Sequence, residues 1–156
     1  MEITLVRANI QDAENLWKMQ IVAFQDLYAK YQDPETSPAT ETLEKTMTRL
    51  EQPYTYYYYI KVGDCIVGAM RVIDHKENGK YKFRSPIFIM KEFRGRGYAQ
   101  QAMRLAEVIH GSSGWELDTI LQEEGNCHLY EKLGYRQTGE VKVVNERMTL
   151  VFYHKE

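Results

Sequence analysis

A chain of 156 residues, 44 % of them hydrophobic, has the length of one domain and enough apolar material for a core without metal or disulfide support. With 20 Lys and Arg against 22 Asp and Glu, the formal charge of −2 argues against nucleic acid or an anionic membrane as partner, because both need a net basic field. Cys65 and Cys127 lie far apart with no C-x-x-C, M-E-I-T-L-V-R opens no leader pattern, and no apolar run reaches the roughly 20 residues of a bilayer span. Reduced thiols in a cytoplasmic protein are the expectation.

In chain order, Ile3 to Arg7 reads as a short edge-like strand, and Asn9 as a helix cap. Ala13 to Tyr31 carries apolar residues at helical spacing, Leu16, Trp17, Met19, Ile21, Phe24 and Leu27 among them, which predicts a core-facing helix. Asp33-Pro34 and Ser37-Pro38 break it, since a residue before proline is pushed out of the α region. A second helix is expected from about Ala39 to Leu50.

Tyr54 to Val62, Y-T-Y-Y-Y-Y-I-K-V, is a strand by composition, its rings placed in the core or on the sheet. Base stacking on that run is disfavoured, because Lys61 is its only basic residue. Gly63-Asp64 turns the chain into Cys65 to Ile73, and Asn78-Gly79 turns it again before a strand that starts at Tyr81 and ends with Ser85 to Ile89. Arg94 to Ala99, R-G-R-G-Y-A, then leads into a helix with Ala99, Ala102, Met103, Ala106 and Ile109 on one side.

Strand, glycine-rich turn and helix start together make an anion site. The first amides of a helix have no internal acceptors, glycines let a ligand approach the backbone, and Arg94 and Arg96 add charge to the helix dipole. Two nucleotide fingerprints fail: there is no G-x-x-x-x-G-K-[ST], and G-x-G-x-x-G is broken by Gln100. The pattern [Q/R]-x-x-G-x-[G/A] is met by Arg94, Gly97 and Ala99. In this the chain resembles the GCN5-related N-acetyltransferases (GNAT), at their acetyl-coenzyme A site.

Farther on, His110-Gly111 stops the helix, Trp115 to Leu121 is a strand, and Asn126 to Leu133 a helix ended by Gly134. The crossover helix makes Trp115 to Leu121 parallel to the strand ending at Ile89. Leu129 to Tyr135, L-Y-E-K-L-G-Y, carries a second signature of the same family. Tyr135 to Val144 and Arg147 to Tyr153 close the chain as a hairpin, whose apolar residues on both faces suit pairing between subunits, a possible homodimer.

The resemblance implies an α/β (α+β) fold in a single domain over residues 1–156: a mixed, mostly antiparallel sheet of about seven strands, with a splayed parallel pair, flanked by helices. It implies coenzyme contacts at Ile87, Phe88 and Ile89, along the turn from Arg94, Gly95, Arg96 and Gly97 to Tyr98, Ala99 and Gln100, and at Asn126. By the same resemblance Tyr130 is the acid that meets the coenzyme sulfur and Asp118 the base, with Glu116, two residues earlier on the same strand face, as runner-up. A backbone N–H near Ile89 is the expected oxyanion donor. Many members carry asparagine seven residues before the tyrosine; Glu123 stands there in this chain.

Adjacent helix residues point about 100° apart, so Cys127 and His128 cannot pair as a thiolate and its base. Direct transfer is therefore expected over an acyl-cysteine. The four histidines are scattered, so no metal is expected. The implied activity is acetyl-coenzyme A dependent N-acetylation of an amine on a small molecule or protein; the alternative is a non-catalytic acyl-coenzyme A binding or sensing domain. Tyr28, Tyr31, Asp33 and Glu35, around the proline joint, favour a cationic amine as acceptor.

Overall fold

The computed structural model describes residues 2–156, so Met1 of the expected domain lies outside it. Strand β1 (Thr4–Arg7) is followed by helix α1 (Ala13–Tyr31), entered through Asn9, whose Oδ1 accepts from the Gln11 amide at 2.9 Å. The proline joint then makes a 3-10 turn, Pro38–Thr40, and helix α2 (Leu43–Glu51) begins later than expected. The reason is local. Thr42 is extended and caps α2 by accepting from the Lys45 amide, while Ser37 caps the 3-10 turn.

Strands β2 (Thr55–Val62), β3 (Cys65–Ile73) and β4 (Lys82–Ile89) form the antiparallel meander, and helix α3 (Tyr98–His110) crosses to β5 (Trp115–Ile120). Helix α4 (Glu124–Lys132) starts two residues before the expected Asn126 and ends on Gly134 at φ +95°, with the Tyr135 amide donating to the Tyr130 carbonyl at 3.0 Å. Strands β6 (Arg136–Asn145) and β7 (Met148–Lys155) complete a seven-stranded sheet in the order β1-β2-β3-β4-β5-β7-β6.

That order accounts for the last hairpin within the chain. β7 lies between β5 and β6, and Met148, Val151 and Tyr153 are buried there. Interior packing thus accounts for these three residues of the hairpin, and β6 is one edge of the sheet, with Val141 and Val143 exposed.

Helices α3 and α4 cover one face over Met70, Val72, Ile89, Trp115, Leu117 and Val151; α1 covers the other over Tyr57, Tyr59, Ala69 and Phe88. Tyr57, Tyr58 and Tyr59 are buried, so their rings serve packing. Apolar area removed from water on both faces is the main force holding these layers.

The one parallel pair among the described residues, β4 with β5, is matched at Lys82 with Trp115 and Phe83 with Glu116 and then parts. A bulge in β4 accompanies the divergence. Between Met70↔Ile87 and Val72↔Arg84, β4 uses one residue more than β3, and Pro86 inside the bulge has no N–H to donate to a ladder.

Gly68 on β3 sets how closely β4 approaches. A Cβ there would stand 2.1 Å from the Phe88 carbonyl oxygen, so Gly68→Ala must push two central strands apart. It should destabilise the protein by about 1–3 kcal/mol, read from the midpoint of denaturant unfolding. An unchanged midpoint would mean the strands separate at no cost.

Candidate active site

Six successive amides, Gly95 to Gln100, find no acceptor among the described residues; Gln101 is the first to bond, to the Gly97 carbonyl at 3.1 Å. Gly95 at φ +79° and Gly97 at φ +78° bend the chain so that these amides fan out at the start of α3, and a Cβ added at either would meet no described atom within 4 Å. The first-turn dipole adds to the same spot. The residues therefore fit a pyrophosphate, which needs oriented donors and room for close approach.

Arg94, which lines the cavity at this turn, also has a structural task. Its Nε donates to the Ile89 carbonyl at 2.8 Å and its Nη2 to the Ala23 carbonyl at 2.9 Å, so it fastens α1 and the end of β4 to the turn. Arg96 is exposed, 5.9 Å above the Phe93 ring, outside the cavity wall. The unpartnered backbone amides are donors at the turn, and Arg94 lines the cavity beside them.

A cavity of about 610 Å³ runs from this turn along the end of β4, between α1 and α4. Of the sequence-read residues, Ile87, Phe88, Ile89, Arg94, Gly95, Gly97, Tyr98, Ala99, Gln100, Asn126 and Tyr130 line it. The Met90 amide bonds to the Val67 carbonyl on the β3 side, so the amides of Ile89 and Ile87, alternating along the strand, point into the gap between β4 and β5. Residues of α1 that sequence reading missed, Phe24, Leu27 and Lys30, close the roof.

A second cavity of about 410 Å³ meets the first at Phe24, Leu27, Ile87, Asn126 and Tyr130. Asp118 lines it; Glu116 is exposed and lines neither, so the cavity wall selects the first of the two carboxylates. Burial raises the Asp118 carboxyl above its ordinary value against the pull of Lys142 and Arg71. Of the joint residues expected to meet an acceptor, only Asp33 lines this cavity, while Tyr31 is buried and donates to Glu123.

Tyr130 stands where the two cavities join. Its hydroxyl makes no hydrogen bond among the described residues, although the ring is buried between Tyr135 and Tyr153. Burial pushes it up to about 12, Arg84 working the other way, so the hydroxyl keeps its proton throughout the neutral range. Arg84, 2 % exposed, lies over Trp115 at 4.7 Å and donates to the Tyr135 hydroxyl, leaving Nε and Nη1 without acceptors among the described residues.

Glu123, in the place of the family's asparagine, accepts from Lys30 at 2.8 Å and from Tyr31. Burial works to raise its carboxyl, but these hydrogen bonds prevail and hold it low. It ties α1 to α4 over the first cavity. Cys127 is buried and lines neither cavity, and among the described residues no group of three His, Cys, Asp or Glu is placed to hold a metal. No helix of the described residues is long and apolar enough to cross a membrane.

The fold recurs widely. A spermidine N-acetyltransferase from Vibrio cholerae, solved with CoA and spermine, aligns over 97 % of this chain and 94 % of its own at 15 % identity and TM-score 0.76. PaiA N-acetyltransferase from Thermoplasma acidophilum, solved with coenzyme A, covers all of both chains at 14 % identity and TM-score 0.73. The microcin C7 self-immunity acetyltransferase, in complex with acetyl-CoA and AMP, gives 20 % identity and TM-score 0.69 over 97 % of this chain and 91 % of its own. No curated protein matches in sequence. The model of the Acetyltransferase (GNAT) family matches residues 21–135, from the roof helix through both signatures to the start of β6. The chain belongs to the GNAT acetyltransferase family.

Proposed function

We infer that the protein transfers an acetyl group from acetyl-coenzyme A directly to the amine of a small acceptor. The observation that carries this reading is Tyr130: a protonated hydroxyl, unbonded among the described residues, at the junction of the cavity that fits a coenzyme with one large enough for an acceptor. Bound there, the coenzyme would supply a thioester, whose carbonyl is open to attack by an unprotonated amine.

Each remaining role falls to a group already in place. The amides from Gly95 to Gln100 hold the pyrophosphate, and those of Ile87 and Ile89 donate to groups lying in the gap between β4 and β5. An alkylammonium has a pKa of about 10.4, so it must lose a proton before it can attack. Asp118 takes that proton, directly or through water, and its raised proton affinity suits it to the task. Tyr130 donates from its hydroxyl to the sulfur as negative charge grows there.

Release of free thiol from acetyl-coenzyme A across an amine panel tests the activity. Coenzyme binding without thiol release for any amine would support a sensing domain instead.

Binding itself has a separate handle. Gly97→Ala forces a side chain into a left-handed backbone at a cost of about 1–2 kcal/mol and puts a methyl group beside the fanned amides. Coenzyme A affinity measured by calorimetry should fall about 10–100-fold, the worth of one charge-assisted hydrogen bond lost. Unchanged affinity would place the pyrophosphate elsewhere.

A further inference from the structure

The second cavity holds a cation that no described residue neutralises at close range. Arg71, on β3, is 8 % exposed and lines the cavity. Its Nε donates to the Ser85 carbonyl at 2.6 Å, filling the β4 bulge, but Nη1 and Nη2 have no partner among the described residues. No carboxylate among them lies within ion-pair distance of it.

Other charges line the cavity as well, among them Lys142, which is exposed and whose charge acts on Asp118. Arg49 makes a two-pronged pair with Glu41, at 2.9 Å and 3.2 Å, and Glu41 also accepts from Gln20 and Lys45. Asp33 accepts from the Thr36 hydroxyl. Arg84 also lines the cavity, but its guanidinium lies over Trp115 and its unpartnered nitrogens are sealed from solvent. Burial, and then the charge of Arg49, bring Arg71 down to about 10, so it remains a cation at neutral pH.

Asp118 stands across the same cavity as the only carboxylate there with no hydrogen-bond donor among the described residues. The guanidinium of Arg71 and the carboxylate of Asp118 face a single space walled by Phe24, Leu27, Phe83, Ile120, Met148 and Leu150, with the exposed Lys142 also in its wall. That is the complement of a zwitterion with an apolar side chain. We propose that the acceptor is a small apolar amino acid, its carboxylate held two-pronged by Nη1 and Nη2 of Arg71 and its amino group turned to Asp118 and Tyr130. A buried guanidinium fork matches a carboxylate in geometry as well as charge. The acceptor is thereby narrowed from the cationic amine that the tyrosines and acids of the proline joint favour to one that also carries a carboxylate.

The proposal rests on the acetyltransferase reading for its chemistry, but its test does not. Leucine and phenylalanine are compared with 3-methylbutylamine and phenethylamine, which lack only the carboxylate, both by calorimetry on the coenzyme A-loaded protein and by thiol release. In the wild-type protein the amino acids should bind about 10–100-fold tighter than their decarboxylated partners, the worth of a charge-assisted pair. Arg71→Met should erase that difference, and Arg71→Lys should keep part of it.

Tighter binding of the amino acids without thiol release upholds this inference and sinks the acetyltransferase reading. Thiol release that favours the plain amines or spermidine, indifferent to Arg71→Met, upholds that reading and overturns this inference. Failure of either amino acid to bind overturns it as well. The wild-type comparison stands even if the Arg71 variants fail to fold.

Discussion

Tyr130→Phe should lower kcat by about 10²–10⁴-fold, the usual range for a positioned proton donor, with coenzyme A affinity nearly unchanged. The variant is unusually clean because the hydroxyl has no partner to orphan among the described residues. The ring, packed between Tyr135 and Tyr153, stays as phenylalanine. Stability should therefore hold within about 0.5 kcal/mol, as for a substitution that removes no packing and leaves no polar group unpaired.

A hydroxyl pushed up to about 12 is a reluctant acid toward a thiolate at about 8.5, since each pH unit of mismatch costs about 1.4 kcal/mol. Its contribution is a hydrogen bond that strengthens as charge grows on the sulfur, aided by the guanidinium of Arg84 nearby. Activity retained in Tyr130→Phe would mean that solvent protonates the leaving group and that the tyrosine is packing alone.

Asp118→Asn should cost about 10²-fold or more in kcat/KM and remove the acid limb of the pH profile. The sign follows from burial, which raises the Asp118 carboxyl above its ordinary value of 3.8. Only the ionised form accepts a proton, so the rate falls as pH drops through that raised value, earlier than an exposed aspartate would dictate.

The stability effect has the opposite sense. Because the folded state holds the proton more tightly than the unfolded one, folding loses stability as pH rises from the unfolded value to the folded one. At neutral pH a buried, unpaired carboxylate is then a cost, and Asp118→Asn should leave the melting temperature unchanged or higher. A gain in stability with a loss of turnover marks a group kept for chemistry. A drop in melting temperature with turnover intact would instead assign Asp118 to structure, through Arg71 and Lys142.

What the amino-acid order determined by itself was the succession of elements and the glycine turn before α3. Helical spacing in α1 and α3, and the turn residues at Gly63-Asp64 and Asn78-Gly79, act over a few residues, so they are visible without the rest of the chain. Gly95 and Gly97 are of the same kind: a left-handed backbone just before a helix calls for glycine wherever it occurs. The place of Tyr130 near the end of α4 was legible through its spacing from Gly134, a fixed offset within one helix end.

Contacts between distant segments were decided only by the tertiary structure. Arg94 is fastened to Ala23, 71 residues away, and Glu123 to Lys30, 93 residues away; neither partner can be read from neighbours in sequence. That Asp118 lines the second cavity and Glu116 does not could be seen only in the fold, since both share one face of β5. Arg71 is the clearest case. In the run C-I-V-G-A-M-R-V-I it is one polar residue in a buried strand, and its free cation exists because the β4 bulge takes Nε while no carboxylate among the described residues comes close. Charge balance in a cavity is a sum over every element that walls it, and that sum is not defined until the chain has folded.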